Sequence, residues 1–120
     1  MATFEEMVES FKKLMRETNT RPDREHNLTK KQLENKLNKR KNINAHISFQ
    51  NGYILSIQKW YGTYGYEDGK YEIAVLDKDG VRYDTPITSD VIGYLEPEEV
   101  MKYYERVKSL KWKPREQEEL

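Results

Sequence analysis

The chain has 120 residues, with 21 basic and 21 acidic side chains, 36% hydrophobic and 12% aromatic residues, and no cysteine. That length is one domain, and the aromatic content sets it apart from disordered chains, because rings bury a large area per residue. Without cysteine there is neither a disulfide nor a thiolate site, so a cytoplasmic protein is expected; no apolar run approaches the roughly 18 residues of a membrane span. The neutral total hides an asymmetry. Residues 21–42 carry eight basic against three acidic groups, which predicts one basic face on an otherwise acidic molecule.

Thr3 opens the first predicted helix, with Glu6 three residues on as a capping box. Phe4, Met7, Val8, Phe11, Leu14 and Met15 follow at helical spacing, an apolar stripe expected to pack on a core. The N-terminus is amphipathic and acidic, unlike a signal peptide. A loop around Pro22 separates it from a second box, Thr29 with Gln32, which starts a helix over 30–41. That helix offers only Leu33 and Leu37 to a core, so its burial is expected to be shallow.

The apolar period then switches to two. Ile43, Ala45, Ile47 and Phe49 alternate with polar residues, and Asn51-Gly52 predicts a type I′ hairpin turn into a strand from Tyr53 to Trp60. Residues 61–69 form a tyrosine- and glycine-rich loop. Tyr71 to Leu76 reads as a third strand, and Asp77-Lys78-Asp79-Gly80 as a turn into a short fourth strand near Val81. Pro86 and Thr88 to Asp90 break the regularity. Pro97 suits the first position of a last helix, whose stripe is Val100, Tyr103, Tyr104, Val107 and Leu110. The expected fold is α+β: a four-stranded antiparallel sheet, two N-terminal helices and one C-terminal helix. Residues 1–110 form the domain and 111–120 a polar tail.

Catalytic and metal chemistry find no footing. His26 and His46 lack further ligands at matched spacing. Asp77-Lys78-Asp79-Gly80 lacks the later ligands of a calcium loop. No serine sits in a nucleophile elbow, and no glycine-rich loop leads into a helix. A non-enzymatic protein without cofactor or metal is therefore expected, acting through a surface.

Three surfaces present themselves. Lys30, Lys31, Lys36, Lys39, Arg40 and Lys41 make one helix basic; its ends lie about 16 Å apart at the standard rise. That face can track phosphates, enter an acidic protein groove, or be a solvated face only. Tyr61, Tyr64 and Tyr66, beside Trp60 and Tyr71, can stack on bases or anchor a protein interface; Tyr71 and Trp60 are expected in the core or against a sheet edge. The acidic residues from Glu67 to Glu99 can imitate a nucleic-acid backbone in a partner's basic channel, although turn and cap chemistry explains most of them.

Several segments together resemble a pattern of small bacteriophage and prophage proteins: Asn51-Gly52-Tyr53, Ser56, Thr63-Tyr64-Gly65, Gly69 to Leu76, Tyr83 to Thr88 and Asp90 to Leu95. The resemblance spans residues 51–110 and leaves the N-terminal helices outside as a variable, target-specific part. It implies an accessory protein of the host cytoplasm that disables a host system by binding, an anti-CRISPR inhibitor being its most specific form. The implied partner is a host defence protein or ribonucleoprotein complex. A nucleic-acid-binding module using the basic helix 30–41 and a nucleotide-signal sponge using the aromatic loop 60–71 are the alternatives.

Overall fold

The computed structural model describes residues 3–19, 21–88 and 90–115, and the side chains of the first helix as far as Phe11. In chain order it contains α1 (Phe4–Asn19), β1 (Glu25–His26), α2 (Lys30–Asn38), β2 (Ile43–Ser48), β3 (Ile54–Lys59), β4 (Tyr71–Asp77), β5 (Gly80–Val81), β6 (Ile92–Leu95) and α3 (Pro97–Lys108). No described helix is long and apolar enough to cross a membrane.

The alternating stretches pair as their pattern demands. β2 and β3 are antiparallel, with Ala45 opposite Ile57 and Ile47 opposite Leu55; β3 and β4 are antiparallel, with Leu55 opposite Val75 and Ile57 opposite Ile73. Because side chains alternate faces along a strand, this register gathers these residues with Ile43 and Tyr71 on one face. All are at most 4% exposed.

The α+β class holds, but the four-stranded antiparallel sheet is corrected to a mixed one of six strands. β1 runs parallel to β2, with His26 opposite His46. β6 pairs antiparallel with β4 across a bulge, in a stretch that Gly93 makes irregular to read, and it shares the far edge of β4 with the two-residue β5. A two-residue strand shows no period, so β1 left no trace in the pattern.

Two helices close the inner face. Leu33 and Leu37 of α2, at 0% and 1% exposure, and Val100, Tyr104 and Val107 of α3 form one buried cluster with the sheet residues. Shallow burial of α2 is thus corrected: it is narrow but complete. Both halves of its capping box are present, Thr29 Oγ1 accepting from Gln32 N–H and Gln32 Oε1 from Thr29 N–H. Pro97 begins α3 as expected.

α1 goes the other way. Thr3 Oγ1 accepts from Glu6 N–H at 3.1 Å, yet Phe4, Met7 and Phe11 are 81%, 61% and 62% exposed. The expected packing of this stripe is corrected for those residues, because α2 and α3 already cover the inner face. Leu14 and Met15 lie outside the described side chains.

The hairpin turn is also corrected. Asn51 has no positive φ; Gly52 alone does, at 93°. Gly52 N–H donates to Phe49 C=O and Phe49 N–H to Tyr53 C=O, the three-residue connection that ends on a left-handed glycine rather than a type I′ turn. Asn51 serves instead as a cap on a distant helix. Its Nδ2 donates to the carbonyls of Val107 and Leu110, both at 2.8 Å, and its Oδ1 accepts from Tyr53 N–H. The amide thereby adds a second donor to the Val107 carbonyl, which also accepts from Leu110 N–H, and a donor to the Leu110 carbonyl just past the helix.

Candidate functional site

The basic stretch is partly spent inside the molecule. Lys30 pairs with Glu105 of α3 at 2.7 Å and Lys36 with Glu25 of β1 at 3.0 Å. Arg40 sits past the end of α2 at φ 51°, pairs with Glu96 and donates to the Gly69 carbonyl. Lys31, Lys39 and Lys41 are exposed and meet no carboxylate among the described residues. The helix also ends earlier than expected, at Asn38. Lys59 then caps that end, its Nζ donating to the Arg40 carbonyl at 2.6 Å.

The tyrosine loop is a built structure. At its start Thr63 Oγ1 donates to the Trp60 carbonyl and accepts from Trp60 N–H. Glu72 Oε2 accepts from Tyr64 N–H at 2.7 Å, and Lys70 N–H donates to Gly65 C=O. A single helical turn, Tyr66–Asp68, lies between Gly65 and Gly69, both left-handed. Tyr94 of β6 forms the opposite wall, its N–H donating to the Tyr64 carbonyl at 3.2 Å.

The two walls touch backbone to backbone, and glycine makes that possible. A Cβ on Gly93 would lie 2.4 Å from Tyr64 Cβ, and one on Gly65 would lie 2.9 Å from the Tyr94 backbone. Tyr94 itself is held at φ 59°, an uncommon state for a bulky residue, of the kind that persists only where its surroundings over-determine it.

Between these walls lies a half-open cleft of about 330 Å³, lined by Tyr61, Tyr64, Tyr66, Tyr94, Glu67 and Asp68 together with backbone of the loop. Tyr61 and Tyr66 meet edge to face, 6.5 Å between ring centres. Tyr61, Tyr64 and Tyr94 remain 52%, 61% and 57% exposed. The structure therefore brings Tyr61, Tyr64 and Tyr66 together on a wall apart from the exposed lysines, and Arg40 ties the basic stretch to the loop through Gly69. Trp60 is half-buried and Tyr71 fully buried. Tyr94 was not among the expected cleft residues, although a glycine beside it in a strand-like stretch is the usual sign of close backbone approach.

The acidic stretch is mostly engaged. Asp77 is 4% exposed, paired with Arg82 and bridged twice by Arg115 at 2.7 and 2.8 Å; those hydrogen bonds hold its carboxyl below the usual carboxylate range. Asp84 pairs with Arg82 and Glu96 with Arg40. Arg82, 1% exposed, lies 5.4 Å over the Tyr53 ring and 5.3 Å over Trp112. Residues 111–115 thus lie along the end of the sheet, Lys113 N–H donating to the Tyr53 hydroxyl.

His26 and His46 stand edge to face at 6.3 Å, and burial lowers the His46 pKa. Among the described residues no three His, Asp or Glu side chains gather where they could hold a metal ion, and every buried side-chain polar atom has a hydrogen-bond partner. No family model matches the chain, nor does any curated protein or solved structure.

Proposed function

We propose that the protein is a non-enzymatic, phage-encoded inhibitor that binds a host defence complex in the manner of an anti-CRISPR protein, and that the tyrosine cleft is the face it presents. The observation that carries the binding role is that Tyr61, Tyr64 and Tyr94 stay more than half exposed on walls fixed by backbone hydrogen bonds. Tyrosine is enriched among the residues that dominate interface energy. A loop already held in one conformation loses little freedom when a partner arrives. The phage and defence context comes from the resemblance over 51–110, which includes Thr63-Tyr64-Gly65 and Gly93-Tyr94. The exposed face of α1 offers a second contact of the helix-in-groove kind.

The test is plaque formation by a CRISPR-targeted phage in cells expressing the chain, paired with pull-down of the defence complex. The wild-type chain should restore plaques and retain the complex; Tyr64→Ala should lose both while melting with the parent. Absence of rescue across CRISPR types, or an undiminished Tyr64→Ala, overturns the reading.

Direct nucleic-acid contact through the basic stretch 30–41 is the second reading, favoured by the exposed Lys31, Lys39 and Lys41. With Lys30, Lys36 and Arg40 in internal ion pairs, its salt dependence should correspond to about three phosphates. The nucleotide-sponge alternative has the wrong sign in its own cleft, where Glu67 and Asp68 would face the phosphates.

A further inference from the structure

We propose that the tyrosine cleft takes a cation, the ammonium or guanidinium head of a Lys or Arg side chain on the partner protein. The source of that cation rests on the protein-binding reading above; the chemistry rests on the cleft alone.

Sign is the first observation. The charged side chains lining the cleft are Glu67 and Asp68, and no Lys, Arg or His lines it. Neither carboxylate is ion-paired among the described residues. Nearby cations are turned to other work: Arg40 and Lys70 to Glu96, and Arg21 to the Trp60 ring. Both carboxylates are exposed, so the cleft shows an arriving cation a negative rim that no nearby side chain neutralises.

The rings are the second. An aromatic face attracts a cation within about 6 Å of its centre, and a box of several rings is the known way to hold an ammonium head. Tyr61, Tyr64, Tyr66 and Tyr94 all line one space, with Tyr61 and Tyr66 in ring contact. Its volume of about 330 Å³ lies near the lower end of the roughly 300–1,000 Å³ typical of ligand clefts, room for one side-chain head and its stem.

The third is a filled counterpart in the same molecule. At the other end of β4, Arg82 lies against both the Tyr53 and Trp112 rings, which touch each other, and is held by the carboxylates of Asp77 and Asp84. The cleft beside the start of β4 has the same ingredients, rings and two carboxylates, without the cation. One site is closed by its own arginine; the other is open to a partner's.

A nuclear magnetic resonance titration of the full chain tests this with capped Gly-Arg-Gly and Gly-Lys-Gly, with the Gly-citrulline-Gly counterpart, and with tetramethylammonium. The arginine or lysine peptide should shift the amides of residues 61–68 and 94, and the uncharged citrulline peptide should not. Tyr64→Ala should weaken the binding about two- to five-fold, the share of one cation–π contact. Glu67→Gln with Asp68→Asn should weaken it too and flatten its salt dependence. Equal shifts from citrulline and arginine, or none from either cationic peptide, overturn the proposal. Shifts from tetramethylammonium alone would assign the cleft to a free organic cation and overturn the protein source. Because the titration needs no host component, its failure is separate from that of the pull-down. A defence complex retained equally by wild type and by Glu67→Gln/Asp68→Asn leaves protein binding standing and removes the cation.

Discussion

α1 and α2 carry opposite stocks of apolar residues and meet opposite fates. The richer helix leaves Phe4, Met7 and Phe11 in solvent, while the poorer one buries Leu33 and Leu37 almost completely. Anchoring explains the difference. α2 is fixed at its start by the Thr29–Gln32 box, along its sides by Lys30–Glu105 and Lys36–Glu25, and at its end by Lys59. Those ties deliver two leucines to the inner face, and α3 covers the rest. Apolar content qualifies a helix for the core; the contacts that steer it decide whether it arrives.

The strong side of this contrast can be broken first. Leu37→Ala should cost about 2–5 kcal/mol, as for other fully buried leucines, read by chemical or thermal unfolding. A cost below about 1 kcal/mol would mean that α2 is not needed to close the core. Arg40→Ala comes next. It should release the clip to Gly69 and Glu96, raising amide hydrogen exchange around residues 65–70 while the sheet stays protected. Unchanged exchange there would show that the loop is held without the Arg40 clip.

The smallest effect belongs to α1. Phe11→Ala should alter stability within about 0.5 kcal/mol, as at ordinary surface sites, instead of the roughly 3–5 kcal/mol of a buried ring. A cost in the buried range would return α1 to the core. Replacing Lys31, Lys39 and Lys41 together with alanine should be similarly quiet in a melting experiment. Full plaque rescue by that variant would leave the free part of the basic face a solvated surface.

What the sequence disclosed was local. The Thr29 box, Pro97 and the alternation through β2 and β3 need only residues within a few positions of one another, and all appear in the fold. What it concealed depends on distant partners. The basic run read as a free face because Glu96 and Glu105, which pair with Arg40 and Lys30, lie far along the chain. The tyrosines of the loop were visible as a cluster, but their fourth member is thirty positions beyond Tyr64 and joins them through a backbone hydrogen bond. Asn51 looked like half of a turn because its carbonyl partners at the end of α3 are 56 to 59 residues away.

That junction bears on how the protein ages. In an Asn-Gly pair the glycine nitrogen attacks the asparagine side-chain carbonyl carbon, expels ammonia through a cyclic imide, and leaves an aspartate or its isomer after hydrolysis. Here the departing nitrogen donates to Val107 and Leu110, and the attacking Gly52 N–H is bound to Phe49, so the reaction waits for the hairpin tip to come away from α3. Afterwards a carboxylate would face the helix carbonyls at the negative end of the α3 dipole, where it is repelled. The Gly52 backbone also carries the Trp112 ring, which a Cβ at that position would meet at 3.0 Å. Each completed event would therefore leave a permanent mass and charge mark on a molecule whose hairpin tip had opened, and would loosen the seat of the C-terminal segment.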